Sequence, residues 1–172
     1  MAIREIRKYQ DPILRQEAKP ITQITKEINN LIQDLKDTLI GSKGIGLAAN
    51  QIGISLQAII VSQENKGTKN FLVLLNPKII AHRGKQVIEE GCLSFPGIYF
   101  KIRRAYWIRL TGLNVKGEPL ILEAEGIFAQ VIQHEIDHLR GKVFIDHLPF
   151  WKRWKIKREL ARTMKEKVNS RE

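Results

Sequence analysis

At 172 residues, 43% hydrophobic and 27% charged, the chain has the make-up of one folded domain rather than of a disordered segment. No apolar run approaches the ~18 residues of a membrane span, and the opening MAIREIRKYQDP has no apolar leader, so a cytoplasmic protein is expected. The single cysteine, Cys92, excludes an internal disulfide, and the net charge of +11 points either to a polyanionic neighbour or simply to good solubility.

In chain order, Asp11-Pro12 and Lys19-Pro20 predict turns around Ile13-Leu14. Ile28, Leu31, Ile32, Leu35 and Leu39 recur at helical spacing and predict a core-packing helix from Thr25, a possible cap, to about Ile40, with Gly41 able to end it. The run Gly44-Ile45-Gly46-Leu47-Ala48-Ala49-Asn50-Gln51 contains a G-x-G-x-x-A string. A dinucleotide fingerprint would need a strand before it and a helix after it; here a helix precedes and the β-branched run 56–61 follows. Small residues at this point instead let backbone approach a ligand closely, and Gln51 offers an amide donor. A polar turn is expected over 63–70, a buried strand over Phe71–Leu75 ending at Asn76-Pro77, and short strands at 79–80 and 87–88. Residues 89–97 read as a loop holding Cys92, 98–113 as one long or two bent strands, and 120–123 as a last strand.

From Gly126 to Leu139 the period is helical again, and Gly141 can terminate the helix. This helix carries Gln133-His134-Glu135-Ile136-Asp137-His138-Leu139. Histidines four apart stand on one helix face and can converge on one ion, while the adjacent Glu135 can reach a water there and handle its proton. The alternative for such a motif alone is an amphipathic helix with two surface histidines. The apolar character of the surrounding helix predicts that both are buried.

The C-terminal segment 151–172 carries nine Lys or Arg against three Glu. Ile156, Leu160, Met164 and Val168 recur every fourth residue, which predicts an amphipathic helix with one basic face and with Trp151 and Trp154 docking its start.

Taken together, GIGLAANQ at 44–51, EGCLS at 90–94 and QHEIDHLRG at 133–141, with Asp11, Pro12, Leu14 and Arg15 upstream, resemble the peptide deformylase family in content and order. The resemblance implies an α+β fold, antiparallel β-sheets wrapped around a central HExxH helix and closed by a C-terminal amphipathic helix. It divides the chain into a catalytic unit, 1–150, and a basic C-terminal helix of the same domain, 151–172. The implied activity is removal of the formyl group from N-terminal formyl-methionine of nascent polypeptides, with release of formate.

Carried onto this chain, the resemblance makes Cys92, His134 and His138 the metal ligands. A metal-bound water is the nucleophile, Glu135 the general base and acid, and Gln51 with the Leu93 N–H the oxyanion donors. Ile45, Gly46 and Gly91 would contact the extended peptide, and Val131 and Glu90 would bound the methionine pocket; Ile45 and Val131 could equally be core. Two imidazoles and a thiolate suit Fe(II), Zn(II), Ni(II) and Co(II) alike; the family implies Fe(II) in the cell, with Zn(II), Ni(II) or Co(II) in purified protein. The basic tail resembles a ribosome-docking extension, facing ribosomal RNA near the exit tunnel, with a solvated basic face as the alternative. A monomer is expected. His82 and His147 match no metal position and read as loop or surface residues. Asn50 and Tyr99 depart from the family pattern, away from the expected chemistry.

Overall fold

A computed structural model describes residues 3–42, 44–65 and 68–169, with no side-chain description for 64, 65, 68, 69, 159 and 161–169. The order is helix α1 (Lys26–Ser42), then strands β1 (Gly46–Ala48), β2 (Ala58–Asn65), β3 (Thr68–Arg83), β4 (Gln86–Cys92), β5 (Phe95–Arg104), β6 (Trp107–Leu113) and β7 (Pro119–Glu125), then helices α2 (Gly126–Leu139) and α3 (Phe150–Asn169). Short 3-10 turns lie at Pro12–Arg15, Ala49–Ile52 and Phe144–His147. The fold is α+β. Five strands form one antiparallel sheet in the order β1-β2-β3-β6-β7, and β4-β5 forms a separate antiparallel ribbon.

The larger sheet is covered on both faces because its strands alternate. Ile59 and Val61 of β2 point into the cluster that includes Ile132 and Ile136 of α2. Ala58 and Ile60 point the other way, against Leu31, Leu35 and Leu39 of α1. Two-sided burial explains why this strand reads as an almost unbroken apolar run. A third cluster joins Phe95 and Ile102 of the ribbon to Val143, Phe144, Ile145 and Ile156, and so ties α3 to β5.

Several expectations are corrected. The strand starting near Phe71 does not stop at Asn76-Pro77: β3 continues to Arg83, with register shifts between Leu75 and Lys78 and between Ile79 and Ala81. Asn76 takes φ 50, a left-handed backbone that Asn tolerates, and its amide pairs with both backbone groups of Ile21 at 2.8 and 2.7 Å. Residues 89–97 are no loop: 89–92 end β4, 95–97 begin β5, and only Leu93-Ser94 connect them, with Cys92 opposite Phe95. Gly41 lies inside α1, which runs one residue further. The polar turn expected over 63–70 is largely strand, its 66–67 centre lying outside the described residues. α3 begins at Phe150 rather than 151, and Trp151 and Trp154 do not dock: both stay well exposed beside Phe150, on the side of the helix away from buried Ile156. The side chains of Met164 and Val168 lie outside the described residues.

Candidate metal centre

α2 packs on β1, β2, β6 and β7, and it carries His134 and His138 buried, at 7% and 0% exposure. Cys92 arrives from elsewhere, at the end of β4. The ligating atoms of these three residues all lie within 4.8 Å of one another, and Cys92 Sγ is 3.2 Å from His138 Nε2. His134 Nδ1 is engaged by Glu90 Oε2 at 2.9 Å, which leaves the opposite ring nitrogen to face the thiol. A soft sulfur and two imidazoles converging with one side open is a donor set for a catalytic rather than a structural metal ion.

The electrostatics fit that use. Burial opposes ionisation of Cys92, but His138 and His134 outweigh it and hold the thiol well below its usual value. Burial alone would depress His134, yet its contacts with Cys92 and Glu90 hold it well above an ordinary imidazole. Glu135 follows His134 in the helix, is 4% exposed, and is pushed up to about 7 by burial, with His134 and His138 partly offsetting the rise. Its Oε2 has no hydrogen-bond partner, leaving a buried carboxylate oxygen for a water or a substrate group.

Gln51 is placed by the 3-10 turn after β1. Its Oε1 accepts from Ala48 N–H at 2.8 Å, which fixes the amide, and its Nε2 lies 3.6 Å from Cys92 Sγ and 3.2 Å from Ser94 Oγ. Gly46 is required by contact. A Cβ there would stand 2.8 Å from Val131 Cγ1 and strike the Glu135 carboxylate. Ile45, Gly46, Gln51, Glu90, Gly91, Cys92, Leu93, Val131, His134 and Glu135 all line one cleft of about 720 Å³. Ile45 is 59% exposed on its rim and so is not core, whereas Val131 belongs both to the cleft wall and to the core. Of the expected site residues, only His138 is not on the cleft lining; it is fully buried, in contact with Cys92.

Other participants were not legible. Glu90 lines the cleft, but its carboxylate is committed to Arg104 (2.8 and 3.0 Å), Gln130 (3.0 Å) and His134. Hydrogen bonds from His134 and Arg104 overcome burial and bring Glu90 down to about 2. Arg104 also pairs with Asp137, which His147 contacts at 2.7 Å. His147 is a surface residue, as expected, but it caps the outer end of this ion network. Asn50 is corrected: it is fully buried and donates to the His138 carbonyl at 2.5 Å. Glu90, Asn50 and Asp137 lie inside the sequence motifs, but their partners could not be read there, because the pairings span 10 to 88 residues.

The family model described as polypeptide deformylase matches residues 3–154. A peptide deformylase of Buchnera aphidicola is 45% identical over 172 residues, covering 99% of this chain and 95% of its own. A crystal structure of a peptide deformylase from Legionella pneumophila superposes with a TM-score of 0.87 at 38% identity, over 97% of this chain and 98% of that one. A Met-Ala-Ser-bound class I type b peptide deformylase from Acinetobacter baumannii gives 0.80 at 29% identity, over 86% and 99%.

Proposed function

The chain belongs to the polypeptide deformylase family, metal-dependent hydrolases that remove the formyl group from the N-terminus of new polypeptides, and we propose that Cys92, His134 and His138 hold its single metal ion while Glu135 moves the protons. The observation that carries this is the meeting of those three donors within 4.8 Å beside the unpartnered Glu135 oxygen.

Cys92, His134 and His138 would hold a divalent ion, which when bound would supply a nucleophilic water at neutral pH and polarise the formyl carbonyl. Glu135 takes a proton from the attacking water as the new C–O bond forms at the formyl carbon. It then hands that proton to the departing amine as the C–N bond breaks, giving formate and a free N-terminus. A carboxylate poised near neutrality can both accept and return the proton, which its burial favours. Gln51 Nε2–H and the Leu93 N–H donate to the developing oxyanion. Ile45, Gly46 and Gly91 border the extended peptide, and Val131 with Glu90 bounds the pocket for methionine. The Met-Ala-Ser carried by the Acinetobacter baumannii structure supports a formyl-Met-Ala-Ser substrate here.

Fe(II) is the proposed ion in the cell, with Zn(II), Ni(II) or Co(II) able to occupy the same donors in purified protein. We place the enzyme in the cytoplasm as a monomer; among the described residues no helix is long and apolar enough to cross a membrane. Docking to ribosomal RNA through α3 is supported by exposed Lys152, Lys155, Lys157 and Arg158 next to exposed Trp151 and Trp154. Arg162, Lys165 and Lys167 have no described side chains, and Arg171 lies outside the described residues.

The test is formate release from formyl-Met-Ala-Ser by anaerobically iron-loaded protein, beside Glu135→Gln. The variant is expected to keep its metal and lose turnover; full activity in it would remove Glu135 from the mechanism.

A further inference from the structure

Gln130 stands one helical turn after Ile127 and one before His134, on the face of α2 that fronts the cleft. Its neighbours along that wall, Ile127, Val131 and Ile88, are apolar, which makes a 4% exposed amide the exception there. The amide is not free to turn. Its Nε2 donates to Glu90 Oε1 at 3.0 Å, and the opposite orientation would set carbonyl oxygen against carboxylate. Glu90 cannot retreat either, since Arg104 grips both its oxygens and His134 holds one of them. Gln130 Oε1 is thereby fixed on the side away from Glu90, and it has no hydrogen-bond partner. A buried acceptor with no donor is uncommon in a native structure. Gln130 is among the residues lining the cleft, so a molecule bound there is the natural source of that donor.

We propose that Gln130 is a specificity-determining residue of this site, offering Oε1 as an acceptor to a hydrogen-bond donor on the first side chain of the formylated peptide. The inference rests on the deformylase reading given above. Methionine, glutamine, glutamate and norleucine side chains have nearly the same length. A methionine or norleucine side chain fills the pocket and leaves Oε1 to a water or to nothing. A glutamine side chain brings an amide N–H to it, whereas a glutamate brings only acceptors and a charge. Methionine remains a good substrate; Gln130 narrows the gap between it and a first residue that can donate.

The experiment compares kcat/KM for formyl-Met-Ala-Ser and its formyl-Gln, formyl-Glu and formyl-norleucine counterparts, using metal-loaded wild-type protein and Gln130→Met. Wild type is expected to favour formyl-Gln over formyl-Glu by roughly tenfold or more, and the variant to lower the Gln:Met ratio by roughly tenfold. The norleucine:Met ratio should not move. Loosening of the Glu90 network would slow all four peptides together and leave the ratios alone, so an unchanged Gln:Met ratio overturns the proposal. If Gln130→Met does not fold, wild type decides alone: formyl-Gln turned over no better than formyl-Glu overturns it. Formate from no peptide at all would defeat the deformylase reading and this inference together, an outcome distinct from turnover with unchanged ratios.

Discussion

Gly46 and Glu135 press against each other so closely that a single methyl group cannot be added between them. Gly46→Ala must push the carboxylate off its position, and misplacement by about 1 Å costs roughly 10²-fold in kcat; steady-state kinetics on protein of unchanged circular dichroism would show it. Gln51→Ala removes the proposed oxyanion donor and is expected to lower kcat by roughly 10²–10³-fold with little change in KM. A loss confined to KM would instead make Gln51 a ground-state contact. At this scale the juxtaposition of the proposed site residues on α2 was legible, because helical spacing stacks His134 on His138 and sets Glu135 beside them. Asn50 was not legible. Its partner is a backbone carbonyl 88 residues away, and nothing in the side chain announces it.

Between elements, Arg104 of β5 joins Glu90 of β4 to Asp137 of α2, with His147 of the following turn on the outside. This network fixes the ribbon that carries Cys92 against the helix that carries the histidines. His147 and Arg104 outweigh burial at Asp137 and hold it down to about 2, as His134 and Arg104 do at Glu90. Both carboxylates are thus depressed below their unfolded values. Their contribution to stability is present above about pH 4.5 and is lost as pH falls toward 2, at most about 3 kcal/mol from Glu90. Urea unfolding between pH 6 and 3 should show the decline, and Arg104→Met should flatten it; an equal slope in both proteins would exclude the network as its source. The strand boundaries here were poorly legible for a physical reason. Asn76-Pro77 and the Gly-Cys-Leu-Ser-Phe-Pro-Gly run carry turn residues, but β3 absorbs the first in a bulge and the ribbon makes its short connection within the second.

Over the whole molecule, the fold class followed from three separated motifs matching one family, whereas periodicity alone predicted short strands between two helices and no topology. What periodicity could not supply was that α1 and α2 take opposite faces of one sheet and that the cysteine rides on a second, separate ribbon. The exposed start of α3 belongs to this scale too. Charge reversal at Lys152, Lys155 and Lys157 should weaken ribosome cosedimentation and make its salt dependence shallower; equal binding would retire the docking surface. The most direct measurement is of the metal itself, by elemental analysis and visible spectroscopy of anaerobically cobalt-loaded protein. One ion per chain is expected in wild type and in Glu135→Gln, with a thiolate-to-cobalt charge-transfer band that disappears in Cys92→Ala. A wild-type spectrum and full ion content that survive Cys92→Ala would contradict the three-donor centre.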